Sequence, residues 1–315
     1  MRHADLVFSA ITSEQAARSR IVASWARSHR RHGLDPARKG EATVLSASEM
    51  APRLEACERL TRVAASKLDQ LYGLVSISGC AVVLTDGDGV ILDRRVSDGE
   101  AGAFASWGLI EGADWSEAQE GTNGIGTCLA EKRSLIVHRD EHFCSKNVAM
   151  SCIDSPIYGA DGAILGALDV SSARADQTAA MNSMMAAMVA QTARQIEADN
   201  FKASFEGARV VFAGGEDADR NALLAINGDD VVIGATRAAR QHYGWRAEGA
   251  FEPVAATDIF GRDGDLSGLD RSEKAALVRA LTRAGGNASA AAKALGIGRA
   301  TLYRRMKRLG ISRTL

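Results

Sequence analysis

From residue 270 to residue 309 the sequence reads as three short helices joined by two glycine turns, and no other stretch limits the chain's fold as tightly. Between Asp270 and Ala284 the apolar residues Ala276, Leu277, Ala280 and Leu281 recur at helical spacing, a single stripe to be buried. "GGN" then ends the helix: Gly285 and Gly286 suit a left-handed cap, and Asn287 or Ser289 can accept the first free amides of the next helix. That second helix, Ser289 to Leu295, is rich in alanine and allows close approach of a neighbour. "GIG" makes the second turn, with Gly296 at positive φ, Ile297 plugging the angle and Arg299 opening a third helix that runs to Leu309.

On this third helix Leu302, Met306 and Leu309 fall at i, i+4, i+7 and face inward. Arg299, Thr301, Tyr303, Arg304, Arg305, Lys307 and Arg308 are left on the other faces. A helix in the DNA major groove needs this distribution: side chains near its start for base edges, cations along its flanks for phosphates, and arginine for the bidentate contact with guanine. Charge agrees. From residue 270 onward there are eleven Lys/Arg against two acids, Asp270 and Glu273, a local +9. The whole chain carries −1, so residues 1 to 269 carry −10. An anion-binding tail on a body that does not bind anions is the reading, with double-stranded DNA as the partner.

The segment "GGNASAAAKALGIGRATLYRRMKRLGI" resembles the C-terminal helix–turn–helix of the Fis family. The resemblance implies that Arg299, Thr301, Tyr303 and Arg304 lie toward bases, and Arg305, Lys307 and Arg308 toward phosphates. Relatives of this type often carry Ser or Asn where this chain has Gly298, and glycine remains an acceptable N-cap. It also implies a homodimer, with the first helix at the dimer contact and two recognition helices meeting half-sites about one helical turn apart.

At 315 residues, 46% of them hydrophobic, the chain has room for about two domains with real cores plus linkers. No apolar run has the length of a membrane span, and no secretory leader is visible. Five cysteines, an odd number in a chain of this length, read as thiols in a reducing cytoplasm.

In the middle of the chain "GCAVVLTDGDGVILDRRV" is an apolar run, a "DGDG" turn and a second run, a hairpin signal. "CIDSPIYGADGAILGALDVSS" repeats the device at Asp161–Gly162. Between them a glycine-rich turn precedes a short helix and the strand "SLIVH". Strands with helices between them predict an antiparallel sheet with helices on its faces. "GTNGIGT" completes no Gly-x-Gly-x-x-Gly, because Leu129 stands three beyond Gly126, so it reads as a tight turn into a helix. His142, Cys144 and Cys152 are the set to consider for a metal or redox role, but no Cys-x-x-Cys exists and packing is the preferred reading. No metal and no cofactor is expected.

"QEGTNGIGTCLAEKRSLIVHRDEHF" and "SPIYGADGAILGALDVSS" resemble the GAF domain of the acetoin-catabolism regulator (AcoR-like) family, and "SRIVASWARSHRRHGLDP" its opening helix. The implied task is to bind an unidentified small-molecule effector. Beyond this, "RADQTAAMNSMMAAMVAQTARQIEADNF" carries Met181, Met184, Met185, Met188, Val189, Thr192 and Ile196 at helical spacing, a core or a dimer seam. A helix leaving a GAF domain resembles a dimerising stalk. Residues 209 to 260 are similar to the start of a PAS domain but too few for a whole one, and "TDIFGRDGDLSGLD" follows as a Gly- and Asp-rich linker. The fold class is thus α+β and multidomain: an N-terminal helical region (1–72), a GAF-like α/β sensor (73–175), an amphipathic linker or dimer helix (176–206), a truncated PAS-like segment with linker (207–262) and an all-α Fis-type helix–turn–helix (266–315).

AcoR-like regulators carry an ATPase between sensor and helix–turn–helix. This chain has no Gly-x-x-x-x-Gly-Lys-[Ser/Thr] loop and no Gly-Lys pair at all, so it is expected neither to hydrolyse ATP nor by itself to activate sigma-54 polymerase. With no clustered acid–base pair and no nucleophile elbow, an enzyme is not the reading. The sequence points to an effector-responsive DNA-binding regulator, with RNA polymerase or a related full-length regulator as further partners. The alternative is a modulator working by protein–protein contact with little DNA specificity of its own.

Overall fold

A computed structural model describes residues 2–13, 19–174, 177–214, 221–260 and 268–311. The chain divides into two units, Met1–Val254 and Ala255–Leu315. Among the described residues no helix is long and apolar enough to cross a membrane.

The first unit begins with α1 (His3–Thr12), α2 (Arg20–Arg30), α3 (Ala47–Ala56) and α4 (Glu58–Val75). There follow β1 (Cys80–Thr85), β2 (Ile91–Arg95), α5 (Asp98–Ser106), α6 (Glu117–Glu120) and α7 (Gly124–Glu131). Then come β3 (Leu135–His138), β4 (Ser151–Tyr158), β5 (Ile164–Ser172) and the long α8 (Ala179–Ser204). The five strands form one sheet in the order β2-β1-β5-β4-β3, every neighbouring pair antiparallel. Both hairpins turn on an aspartate. Asp86 Oδ1 accepts the amides of Asp88 and Val90 at 3.0 and 2.9 Å, and Asp161 Oδ1 accepts that of Ala163 at 3.0 Å.

Alternation along the strands divides the side chains between two layers. Val82, Leu84, Ile153, Leu168 and Val170 face α4 and α8, whose Leu60, Ala64, Leu68, Leu71, Val75 and Met185, Val189, Ala193, Ile196 complete one core. Ala81, Val83 and Cys152 face the opposite way, onto Phe104 of α5, Ile125 of α7, and Leu109 and Trp115. Removing a Leu, Ile or Met of this kind from water contributes about 1.5–3 kcal/mol. The sheet therefore needs α4 and α8.

That requirement corrects the domain boundaries read from sequence. The sheet's domain is not confined to 73–175: α4, assigned to the N-terminal region, and α8, assigned to a linker, are its covering layer. The methionine stripe is divided accordingly. Met185 is buried in the sheet's core, Met181 and Met188 are partly buried against it, and Met184 alone is largely exposed. The N-terminal helices join the same unit, since Val7, Ile11, Val22 and Trp25 pack with Phe143 and Cys144.

Beyond α8 the first unit carries β6 (Arg209–Phe212), β7 (Leu223–Ile226), β8 (Val231–Ala235) and α9 (Arg237–His242), and a second sheet runs in the order β6-β7-β8-β9, its last strand β9 (Val254–Ala255) falling on the boundary of the units. Its core joins Phe201, from the end of α8, to Leu223 and Ala225, and Phe205 lies so close to Gly234 that a Cβ there would stand 2.1 Å from the ring. Arg240, 2% exposed, is held by carbonyl oxygens: Nε donates to Ala235 at 3.0 Å and Nη1 to Gly249 at 2.9 Å.

The second unit comprises α10 (Ala256–Ile259), α11 (Gly268–Arg283), α12 (Ala288–Ala294) and α13 (Arg299–Arg308). Of the Gly- and Asp-rich linker read from the sequence, 257–270, the middle falls on 261–267, outside the described residues, while its two ends belong to the helices α10 and α11.

Candidate functional site

In the second unit Leu277, Ala280 and Leu281 of α11, Ala291 and Ala292 of α12, and Leu302, Met306 and Leu309 in and after α13 make one core. Both turns have the geometry that glycine permits. Gly285, Gly286 and Gly296 stand at φ 56°, 80° and 66°. The amide of Gly286 donates to Leu281 O at 2.9 Å and that of Ile297 to Ala292 O at 3.0 Å, closing the ends of α11 and α12. Asn287 Oδ1 caps α12 by accepting the amides of Ser289 and Ala290 at 3.0 and 3.2 Å. Gly298 stands at the N-cap of α13 with no side chain to offer.

Around α13 the seven polar residues singled out from sequence divide into three groups. Arg304 and Lys307 are exposed, at the centre of the face opposite the Leu302–Met306 stripe, and no ion pair involves either among the described residues. On one flank Arg299 lies over the Tyr303 ring at 5.6 Å, with Nη2 donating to its hydroxyl at 3.5 Å, while Tyr303 also leans on the unit's core. On the other flank Thr301 is half-buried and Arg305 and Arg308 meet α11. Arg305 Nη1 is 3.0 Å from Glu273 Oε1, and Arg308 Nη2 is 3.4 Å from Asp270 Oδ1 and also contacts Glu273 Oε2. Sequence reasoning placed Arg305 and Arg308 outward but did not foresee these acids as their partners.

The five-stranded sheet of the first unit holds a second constellation. In the β4–β5 register Asp154 stands directly opposite Asp169, both at most 1% exposed. The two carboxyls share a side-chain hydrogen bond, which requires one of them to keep its proton, and Ser171 Oγ donates to Asp169 Oδ2 at 2.8 Å. Burial is the first cause of the shifts: Asp154 is pushed well above the carboxylate range, with the neighbouring Asp169 charge reinforcing it, and Asp169 is pushed up to about 7. The pair sits under α7, where Gly124 lies so close that a Cβ would meet Asp154 Oδ2 at 2.0 Å.

Nearby, His142 Nδ1 is 2.9 Å from Arg139 O and Nε2 is 3.4 Å from Cys152 Sγ. A carbonyl only accepts, so Nδ1 carries the proton and Nε2 accepts from the thiol. Burial lowers His142 to about 4 and raises Cys152 well above its ordinary value, so both are neutral. Cys144 is apart from this pair, its thiol donating to Glu120 O at 3.4 Å. Among the described residues no group of three His, Cys, Asp or Glu is arranged to hold a metal. Asp154 and Asp169 had escaped the sequence reading, although each occupies a buried-phase position in an otherwise apolar run.

Two glutamates of α6 fasten the N-terminal segment to the sheet's domain. Glu117, 5% exposed, accepts from Ser24 Oγ and from Arg27 Nε and Nη2. Glu120, fully buried, meets Arg38 Nη2 and Lys146 Nζ, each at 2.9 Å. Beside Glu117 lies an open cleft of about 600 Å³, lined by Arg27, Arg31, His32, Asp88, Glu117 and Leu129 among others.

Residues 268–309 match the family described as "Bacterial regulatory protein, Fis family", and residues 2–198 that described as "MimR, N-terminal domain". The acetoin catabolism regulatory protein of Cupriavidus necator is 33% identical over 193 residues, covering 61% of this chain and 29% of that protein. The propane 2-monooxygenase operon transcriptional activator MimR of Mycolicibacterium smegmatis is 32% identical over 143 residues, covering 45% of this chain and 23% of that protein. The matched stretches thus span less than a third of the length of either relative. Among solved structures, the E. coli DhaR(N)–DhaL complex aligns with a TM-score of 0.52 at 14% identity over 76% of this chain and 80% of that one, a likeness of fold. With the N-terminal match running over most of its length, the chain belongs to the family described as MimR, N-terminal domain, and it carries a Fis-family helix–turn–helix at its other end.

Proposed function

We propose that the chain is a non-enzymatic, cytoplasmic, effector-responsive regulator that binds operator DNA as a dimer through α13. The carrying observation is the outer face of α13: Arg304 and Lys307 are exposed and lie away from the acids of α11, on a helix whose opposite side is anchored by Leu302 and Met306. Arg299, Thr301, Tyr303 and Arg304 serve base contact and Lys307 phosphate contact in this reading. The β1–β5 domain acts as the GAF-type sensor, and the β6–β9 sheet is a truncated PAS-like module built on the end of α8. The relatives are named for acetoin and for a propane 2-monooxygenase operon, so a small uncharged or weakly polar metabolite is the effector class to try first. Effector binding shifts the dimer between arrangements that match two half-sites unequally, a coupling of about 1–3 kcal/mol. Regulation then proceeds without an ATPase of the chain's own.

Fluorescence anisotropy on DNA from upstream of the chain's own gene, against random duplex, tests the proposal. Preferential binding that Arg304→Ala relaxes supports it. Equal, salt-sensitive binding to every duplex refutes it and favours the protein–protein modulator.

A further inference from the structure

The second unit spends its acids in an unexpected place. From residue 270 onward the sequence has only two, Asp270 and Glu273, against eleven cations. They lie one turn apart on α11, and both meet α13, at Arg305 and Arg308, which also lie about one turn apart. Glu273 bridges the two arginines. Its side chain is 22% exposed against 43% for Arg305 and 57% for Arg308, so the carboxylate is the shielded end of a contact whose cations stay open to water.

Phosphate binding would require Arg305 and Arg308 to give up these carboxylates, whereas Arg304 and Lys307 give up only water. The geometry is also that of a brace. Leu302, Met306 and Leu309 fix the depth of α13 on α11 and α12, but a row of aliphatic contacts leaves a helix free to roll by a few degrees. Three ion pairs on the flank away from Arg299 and Tyr303 oppose that roll.

We infer that Glu273, with Asp270, is a positioning residue: it holds Arg305 and Arg308 against α11 and so fixes the angle at which Arg299, Arg304 and Lys307 are presented to DNA. This rests on the reading that α13 binds DNA. Arg305 and Arg308 are then braces and not phosphate ligands, contrary to what the family resemblance implies for them.

The test uses the full chain and a duplex that it selects from a random pool. Each phosphate contact adds about 0.9 to the slope of log K against log salt. Lys307→Gln should lower that slope by about one, while Arg305→Gln and Arg308→Gln leave it unchanged. Glu273→Gln should keep or raise the slope, because it frees Arg305 and leaves Arg308 only Asp270, yet reduce the ratio of selected to random affinity several-fold. Without DNA, hydrogen exchange of the α13 amides should quicken in Glu273→Gln and in Arg305→Gln, and the double variant should be no faster than either. A slope lowered by Arg305→Gln or Arg308→Gln as much as by Lys307→Gln overturns the inference, as does additive exchange in the double variant. A wild-type chain that selects no duplex at all defeats the DNA-binding reading instead, and the exchange arm still decides whether the brace exists.

Discussion

Replacing Asp169 by asparagine should make the protein more stable in alkaline solution and hardly so in acid. In the unfolded chain an aspartate releases its proton at its ordinary value, 3.8; in the folded sensor burial holds the Asp169 proton up to about 7. Between those values the folded state binds one proton more than the unfolded state. Stability therefore falls as pH rises, by about 1.4 kcal/mol per unit, and the loss ends once pH passes the folded value. Over roughly three units that comes to about 4 kcal/mol, a sizeable share of the 5–15 kcal/mol typical of a domain. Asp154, raised further, adds a loss of the same sign that continues above neutrality.

The amide introduced by Asp169→Asn keeps an oxygen to accept from Ser171 but has no proton to lose, so the variant's advantage over wild type should grow by about 4 kcal/mol from about pH 4 to about pH 7, and go on growing above it because Asp154 loses the neighbouring charge that helped to raise it. Any fixed cost of placing an amide there cancels in the comparison across pH. Urea unfolding followed by circular dichroism, wild type and Asp169→Asn side by side at several pH values, reads the difference. A difference that stays flat with pH, or that shrinks as pH rises, would refute the reasoning, because it would mean that Asp169 is ionised in the folded sensor well below neutrality.

Removing the buried carboxylate of Glu120 leaves Arg38 and Lys146 without their shared anion. Because both cations keep a path to water, Glu120→Ala should cost near the lower end of the 3–5 kcal/mol range, about 3 kcal/mol by chemical unfolding, and a loss below about 1 kcal/mol would contradict the fastening role. Asn287→Ala removes the oxygen that caps α12 and should cost about 1 kcal/mol, read as faster exchange of the Ser289 and Ala290 amides with α13 less affected. All five thiols are buried, with Cys144 raised to about 11 and Cys128 and Cys152 well above their ordinary value, so a thiolate-selective reagent should label them only as the chain unfolds. Rapid labelling of the native protein would reopen a redox role for Cys144 and Cys152.

Local chemistry made much of this fold legible. The hairpins at Asp86 and Asp161 and the turns at Gly285, Gly286 and Gly296 are set by residues within a few positions of one another, and each is where the sequence put it. What stayed hidden depends on partners remote along the chain. The stripe on α8 announced an apolar face but not whether a second copy or the chain's own sheet would cover it; in the structure Met185, Val189 and Ile196 meet the sheet and α4. Arg27 finds Glu117 from 90 residues away, and Arg308 finds Glu273 from 35. Asp154 and Asp169 face each other only because of the β4–β5 register. The faces of α13 were readable from periodicity, but the division of its cations into free and braced was not, because the acids that divide them lie on another helix.

The central claim is that two copies of α13 read DNA by sequence, and a hydroxyl-radical footprint of the full chain on the DNA upstream of its own gene tests it most directly. Two short protected patches on one face of the duplex, centred about 10 base pairs or a multiple apart and both lost in Arg304→Ala, are predicted. Even protection along the whole fragment, unchanged by that substitution, would contradict the account.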